Sequence, residues 1–227
     1  MKFSVYVRLL AFVCIAIMSN HVTAETQAPP VTVDGLQLIK DTNLTLVYAQ
    51  PDADLSRYNR IYLADAYVAF KKNWKRQQNR NNSQKVTADD MQKIKADLSS
   101  LFHDVFSSAL EDDGYELVTE RAEGVLLVKP AIINLDIIAP DTRSTGIVHT
   151  YAESAGEMTL YLELYDSVTD DLIAKALDRK IDRETGYFEW QNRVNNRAAA
   201  RRILRVWARV LIDGLDETRK TRTGSDQ

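Results

Sequence analysis

Between residues 88 and 112 the chain carries one continuous stripe of apolar side chains. They recur at intervals of three and four, which places them on one face of an amphipathic helix. The stripe consists of Met91, Ile94, Leu98, Leu101, Phe102, Val105, Ala109 and Leu110. Thr87 and Asp90 form a variant capping box with aspartate at its third position, and Gly114 suits a left-handed stop at the carboxyl end. So long an apolar face must pack against another layer of structure, which constrains the rest of the fold.

Alternating apolar and polar residues predict strands that supply this layer. Residues 60–70 read as one strand, in which Tyr62, Ala64, Ala66, Val68 and Phe70 share one side. Residues 125–138 read as a longer strand. Pro130 within it cannot donate a ladder hydrogen bond, so it implies a bulge or an edge position.

A hairpin follows. Met158, Leu160, Leu162 and Leu164 alternate with polar or aromatic neighbours, and Asp-Ser-Val-Thr-Asp-Asp at 166–171 forms the turn. The return strand is carried by Ile173, Leu177 and Ile181.

A second helix is predicted over about 197–217, with a single apolar face. That face consists of Ile203, Val206, Trp207, Val210, Leu211 and Leu215. Residues 71–85 hold six positive charges and no acid, show no periodicity and are predicted to be a mobile connection.

These elements predict one α+β domain over residues 36–217. We expect a mainly antiparallel sheet of about five strands with two helices packed on one face. Residues 25–35 read as a flexible leader and residues 218–227 as a charged, disordered tail.

The amino terminus has the layout of a secretory signal peptide. Lys2 and Arg8 precede an apolar run of ten residues, 9–18, and cleavage is predicted after Ala24. Ten helical residues span about 15 Å, roughly half of the hydrocarbon core of a bilayer. We therefore expect a periplasmic or secreted mature chain without a transmembrane span.

Cys14, the single cysteine, lies inside this segment. An alternative is an outer-membrane lipoprotein anchored through Cys14, but the bulky Val13 before it fits acylation poorly. If Cys14 is removed with the signal, the mature chain has no disulfide, no thiolate nucleophile and no cysteine metal ligand.

The net charge of the chain limits the classes of partner that it can bind. The predicted signal peptide carries Lys2 and Arg8 and no acid, so its removal takes the formal net charge from −3 to −5. A mildly acidic chain argues against general nucleic-acid binding.

The stretches 47–70, 109–138 and 156–179, in this order, resemble the bacterial domain-of-unknown-function 3313 family. The most specific parts are Asp-Gly-Tyr at 113–115 and Tyr-Asp-Ser-Val-Thr-Asp at 165–170. The resemblance covers about residues 36–215. It implies an envelope protein of Gram-negative type, often a lipoprotein, and it supplies no catalytic residues.

Catalytic chemistry has little support in the sequence. His103 falls within the predicted helix and reads as a boundary residue. His149 lies in a predicted loop, and an envelope hydrolase built around it is the alternative to a non-enzymatic role. The Asp-rich turn lacks the spacing of a calcium loop, and the chain contains no phosphate-binding loop or zinc motif, so no cofactor or metal is predicted.

Three surfaces are candidates for contact with an envelope protein or an anionic envelope component. The first is the basic segment at 71–85, the second is an aromatic segment before the last helix, and the third is a stripe of arginines on that helix. The arginines could instead pair with acids of the sheet such as Glu163. The candidate residues are Lys71, Lys72, Trp74, Lys75, Arg76 and Arg80 in the first, Tyr187, Phe188 and Trp190 in the second, and Arg201 and Arg205 in the third. The sequence thus favours a non-enzymatic binding or accessory protein and leaves its oligomeric state open.

Overall fold

The structure, a computed structural model, describes residues 28–81, 85–137, 150–152, 156–182, 189–191 and 193–225. The α-helices within these residues are α1 (Trp74–Asn81), α2 (Ala88–Asp112) and α3 (Arg193–Ser225). A single 3₁₀ turn among them covers Leu55–Arg57. None of the described helices is both long enough and apolar enough to cross a bilayer.

Most of the described strands form one sheet of eight, in the order β1-β2-β9-β8-β6-β3-β5, with β4 also paired to β6. A separate two-stranded sheet pairs β7 with β10. The strands are β1 (Gln37–Ile39), β2 (Leu46–Ala49), β3 (Arg60–Leu63), β4 (Tyr67–Phe70), β5 (Glu116–Leu117), β6 (Val125–Ile137), β7 (Thr150–Ala152), β8 (Gly156–Asp166), β9 (Leu172–Asp182) and β10 (Glu189–Gln191).

The α+β class holds, but the prediction of a mainly antiparallel sheet of about five strands with two helices was wrong. The described sheet has eight strands and is mixed, and three helices accompany it. β3 and β4 both run parallel to β6, and β3 runs parallel to β5. The connection from β4 to β6 passes through two helices, and such a crossover is what allows two neighbouring strands to run parallel.

The predicted strand at 60–70 is two short strands that follow one another along the same edge of β6. The pairing with β6 stops after Leu63 and resumes at Tyr67. The alternation shifts across the break, so that Leu63 and Val68 both face the core while Tyr62 faces away from it. Pro130 lies opposite the interruption, where its missing N–H leaves no partner unsatisfied.

Helix α2 has the predicted bounds. The Thr87 hydroxyl accepts a hydrogen bond from the backbone N–H of Asp90, and the Asp90 carboxylate accepts from the backbone N–H of Thr87. This confirms the capping box. Gly114 follows the helix at φ +88°, a conformation that costs glycine little because it has no Cβ.

Helices α2 and α3 pack on one face of the large sheet and enclose the core. Their buried side chains join those of β3, β4, β6 and β8 in one cluster. Phe102 stacks on Phe106 with ring centroids 3.9 Å apart, and Phe106 was missing from the predicted stripe. Each fully buried side chain of this size contributes about 1.5–3 kcal/mol of hydrophobic stabilisation.

The hairpin was correctly predicted, but the inward face of its second strand was not. A bulge at Leu164 and Tyr165 shifts the register, so Ala176 lies opposite Leu162. Leu177 and Ile181 consequently lie on the face away from the helices. Small residues on the inner face allow α3 to approach the sheet closely.

The apolar face of α3 is also rotated from the predicted one. Leu204, Ala208 and Ile212 are buried together with Trp207, whereas Val206 is 49 % exposed. The structure continues α3 to Ser225, through part of the segment that the sequence assigned to the charged tail.

Candidate functional site

The first candidate surface is built on α1, where the sequence predicted a connection without regular structure. Trp74 opens the helix and is only 1 % exposed. Its ring stacks on Phe70 with centroids 4.2 Å apart, and its indole N–H donates to the carbonyl of Ile137 at 3.2 Å. Trp74 therefore fixes the helix to the end of β6 and is not an exposed contact residue.

The other end of α1 is fixed as well. The side-chain amide of Gln78 donates to the same Ile137 carbonyl at 3.2 Å. The Asn79 side chain accepts from the backbone N–H of Val86 at 2.7 Å and donates to its carbonyl at 3.1 Å. The Lys85 ammonium donates to the carbonyl of Asn79. These bonds hold α1 in one orientation on the body of the protein.

Lys71 is committed to structure. Its ammonium pairs with Asp136 at 2.8 Å and with Glu157 at 3.4 Å, and Glu157 also pairs with Arg179. The hydrogen bond to Asp136 raises the pKa of Lys71. Burial acts to raise the pKa of Glu157, but the bonds from Arg179 and Lys71 outweigh it and lower that pKa. Lys71 thus already has two carboxylate partners, although 44 % of its side chain is exposed.

The remaining cations of α1 surround an open depression of about 640 Å³, lined by Asn73, Lys75, Arg76, Asn79 and Arg80. Arg76 and Arg80 are exposed and Lys75 is half-buried, while Lys72 stands exposed just before the helix. Among the described residues, none of these four cations has an ion-pair partner. We call Lys72, Lys75, Arg76 and Arg80 the α1 basic surface.

The arginines of α3 do not meet Glu163. Arg201 is half-buried and Arg205 exposed, and neither has an ion-pair partner in the described part of the chain. Arg209 pairs with Asp213 on its own helix at 3.0 Å. Of the two alternatives for this stripe, pairing with Glu163 does not occur, because Glu163 lies on the face of the sheet away from α3.

On that outer face Glu163 is the centre of a network that the sequence did not reveal. Its carboxylate accepts hydrogen bonds from the hydroxyls of Tyr161 at 2.6 Å and Tyr165 at 2.9 Å. Burial and the bond to Glu163 raise the pKa of Tyr165 to about 12, and the pKa of Tyr161 is raised for the same reasons. The Lys129 ammonium lies 4.1 Å from the centre of the Tyr165 ring.

Residues 29–36 cross this outer face beside the network. Leu36 is almost fully buried, Asp34 pairs with Lys175 at 2.6 Å, and the hydroxyl of Tyr48 donates to the carbonyl of Pro29. Lys175 lies directly opposite Glu163 in the sheet but is bound to Asp34 instead.

The carboxylates of the turn at 166–171 are engaged by the backbone of the turn and by side chains next to it. Asp166 accepts from the backbone N–H groups of Val168 and Thr169 and from Tyr58, and these bonds lower its pKa. Asp170 pairs with Arg121. Within the described ranges, no cluster of three or more histidine, cysteine, aspartate or glutamate side chains could hold a metal ion.

The remaining candidate residues do not gather at one site within the described part of the chain. His103 is exposed on α2, and its ring lies 3.3 Å from the Ser107 hydroxyl. Trp190 lies in β10 opposite Tyr151, but its side chain is outside the described part. Cys14, His149, Tyr187 and Phe188 lie outside the described residues, so the proposals that depend on them stay predictions.

Residues 34–211 match the model of a protein family described as "Protein of unknown function (DUF3313)". This chain belongs to the DUF3313 family. The match spans the large sheet, α1, α2 and the first half of α3, and it confirms the resemblance seen in the sequence. No curated protein is detectably similar to the chain.

The solved structures that this DUF3313 protein resembles are distant. PelC from Paraburkholderia phytofirmans, a dodecamer, is 11% identical, with 73% of this chain and 96% of PelC covered and a TM-score of 0.34. A DUF330-family protein from Xanthomonas campestris is 11% identical over 81% of this chain and 96% of that one, with a TM-score of 0.42. A putative neuraminyllactose-binding hemagglutinin homolog from Helicobacter pylori is 13% identical over 74% and 90%, with a TM-score of 0.38.

Proposed function

We propose that this protein is a non-enzymatic binding or accessory protein of the bacterial cell envelope, and that the α1 basic surface binds a phosphate-bearing envelope component. The observation that carries the proposal is a set of cations without ion pairs on a helix held at both ends. The chain as a whole is acidic, so this surface is a local reversal of its charge.

Phosphate suits this arrangement chemically. Arg76 and Arg80 are one helical turn apart and present planar guanidinium groups, which bind phosphate oxygens through paired hydrogen bonds. Lys75 lines the same depression and adds a flexible ammonium. Because α1 is already ordered, less conformational entropy is lost on binding than a mobile segment would lose.

The location in the envelope is part of the proposal and rests on the amino-terminal sequence. We expect the mature chain to begin at Glu25 and to be exported. The intact mass of the protein purified from the periplasm tests this expectation. A full-length chain recovered from the cytosol would remove it, and a mass showing an acylated Cys14 would replace it with the lipoprotein alternative.

The binding proposal is tested by a chemical-shift titration with glycerol phosphate, the smallest soluble mimic of a phospholipid headgroup. In the wild type we expect the backbone amides of α1 to shift. The double variant Lys75→Gln/Arg76→Gln should lose this response, because both removed cations line the depression.

The matched control is Arg121→Gln/Arg209→Gln, which also removes two positive charges, from residues outside α1 that already pair with Asp170 and Asp213. It should respond like the wild type. Absence of any shift in α1, or an equal loss in the control, would refute phosphate binding by α1.

A further inference from the structure

The carboxyl end of β6 gathers two basic elements at one end of the molecule. α1 is bound there through the carbonyl of Ile137. In the sheet, Ile137 lies opposite Gly156 and Gly156 lies opposite Asp182, so the start of β8 and the end of β9 are at the same end.

The amino-terminal half of α3 points to this end. Trp207 of α3 bonds to Asp178, four residues before the end of β9. Later in the helix, Asp216 accepts from Tyr115, which follows α2 at the opposite end of the sheet. Arg197 and Arg201 precede Trp207 by three and two turns, so they lie toward the end that carries α1.

Arg197 is an exposed cation in the first two turns of α3, where Ala199 is buried against the protein. It precedes buried Leu204 by seven residues, two helical turns, and so lies on the same side of the helix. Arg197 is nevertheless exposed, and it has no ion-pair partner in the described part of the chain.

The charges at the start of α3 and at the end of α2 oppose the backbone dipoles there, whereas Asp89 and Asp90 in the first turn of α2 and Arg80 in the last turn of α1 agree with them. A helix favours acidic residues near its start and basic residues near its end. The first twenty residues of α3 contain six arginines and no acid, and residues 71–88 likewise contain no acid. Conversely, α2 ends on Glu111 and Asp112 without a basic residue in its last turn. The basic start of α3 disfavours the isolated helix, and an anion bound at that end would offset this cost.

Acids collect at the other end of the sheet. The turn at 166–171, the end of α2 and residues 213–217 of α3 meet near the starts of β3 and β6. At the basic end, Asp136 and Glu157 are paired with Lys71 and Arg179, and β9 ends there on a further acid, Asp182. Most of the acids named here therefore lie away from the α1 basic surface.

We propose that the α1 basic surface together with Arg197 and Arg201 forms one contact surface for an anionic phospholipid bilayer. This proposal rests on the function proposed above and names the partner as a membrane surface rather than a single soluble phosphate. β6, which carries α1, and β9, which contacts α3, are two strand spacings apart, or about 10 Å. One phosphate cannot span both groups of cations, whereas the headgroups of a bilayer present many.

At α1 the contact is electrostatic rather than inserted. Trp74, the aromatic residue of α1, is buried in the protein and bonded to Ile137. Binding should therefore fall steeply with salt, because the screening length shortens from about 10 Å at 0.1 M to about 3 Å at 1 M.

The test is co-sedimentation of the mature chain with vesicles of phosphatidylglycerol in phosphatidylcholine, against vesicles of phosphatidylcholine alone. We expect binding to the first only. Lys75→Gln/Arg76→Gln and Arg197→Gln/Arg201→Gln should each weaken it about 30-fold, since each removes two cations near the anionic surface. The control Arg121→Gln/Arg209→Gln should change it less than about threefold, because those residues lie toward the acidic end.

The outcomes separate the two proposals. If the α1 pair weakens vesicle binding and the α3 pair does not, the joint surface is wrong while phosphate binding by α1 stands. Equal binding to both kinds of vesicle, or binding to soluble heparin but not to vesicles, refutes the membrane as partner. If glycerol phosphate also leaves α1 unshifted, both proposals fail.

Discussion

The indole N–H of Trp207 donates a hydrogen bond to the carboxylate of Asp178 at 2.8 Å, joining α3 to β9 inside the core. Asp178 is only 3 % exposed. It also accepts from the backbone N–H and the hydroxyl of Thr45 and pairs with Lys180 at 3.0 Å. A buried charge is tolerated here because several donors surround it.

Replacing Asp178 should therefore be costly. Asp178→Ala leaves the Trp207 N–H and the Lys180 ammonium without their acceptor, and we expect the free energy of unfolding to fall by about 3–5 kcal/mol. Urea denaturation followed by tryptophan fluorescence measures it. Asp170→Asn, which removes the charge of an exposed partner of Arg121 and suits the positive φ of this position, is the control and should cost about 1 kcal/mol or less. If both variants lost the same free energy of unfolding, Asp178 would contribute no more to stability than an exposed ion-pair partner.

The same residue predicts how stability depends on pH. Burial acts to raise the pKa of Asp178, but the bonds from Trp207, Thr45 and Lys180 leave it below the ordinary value. A lowered pKa in the folded state stabilises the protein above the unfolded pKa of about 3.9, and this contribution is lost as the pH falls through the folded pKa. Unfolding free energies measured from pH 6 downward should decline less steeply below about pH 4 in Asp178→Asn than in the wild type. Parallel curves would show that Asp178 is not the group that titrates.

How far the sequence predicts this fold depends on the length of each element. Helix α2 has seven turns of repeated spacing and explicit start and stop residues, so its bounds were predicted correctly. β1 and β2 have three and four residues, too few for an alternation to fix their bounds. The inward face of β9 was misread because one bulge near Leu164 reverses the alternation, and nothing local in the sequence marks that bulge.

The candidate site was predicted by composition but not by geometry. The excess of cations in residues 71–85 is visible in the sequence, and Lys75, Arg76 and Arg80 do surround one depression. The separation of Lys71 and Trp74 from that group depends on Asp136 and Ile137, more than sixty residues away in the chain. That α1 and the start of α3 lie at the same end of the large sheet follows from the strand pairing and could not be predicted from the sequence.

The Tyr165–Glu163 pair predicts a late-titrating tyrosine. Its raised pKa of about 12 stabilises the fold below the unfolded pKa of about 10, and this contribution is lost as the pH rises between the two values. Ultraviolet absorbance of tyrosinate should show ionisation near pH 12 that disappears in Tyr165→Phe. Glu163→Gln should move it to lower pH, because the acceptor loses its charge. An unchanged titration in Glu163→Gln would contradict the network.

Two glycines predict opposite effects of the same substitution. Gly156 has φ +140°, and a Cβ there would collide with the backbone carbonyl of Asp136 where β8 meets the bulge of β6. Backbone cannot yield as a flexible side chain does, so Gly156→Ala should destabilise the protein by about 2 kcal/mol or more. Gly214 lies in α3 with open space around its Cβ position. Gly214→Ala should stabilise the protein by about 0.5–1 kcal/mol through helix propensity. Thermal unfolding measures the stability of both variants. If Gly156→Ala were as stable as the wild type, the start of β8 could not approach Asp136 as closely as the sheet register requires.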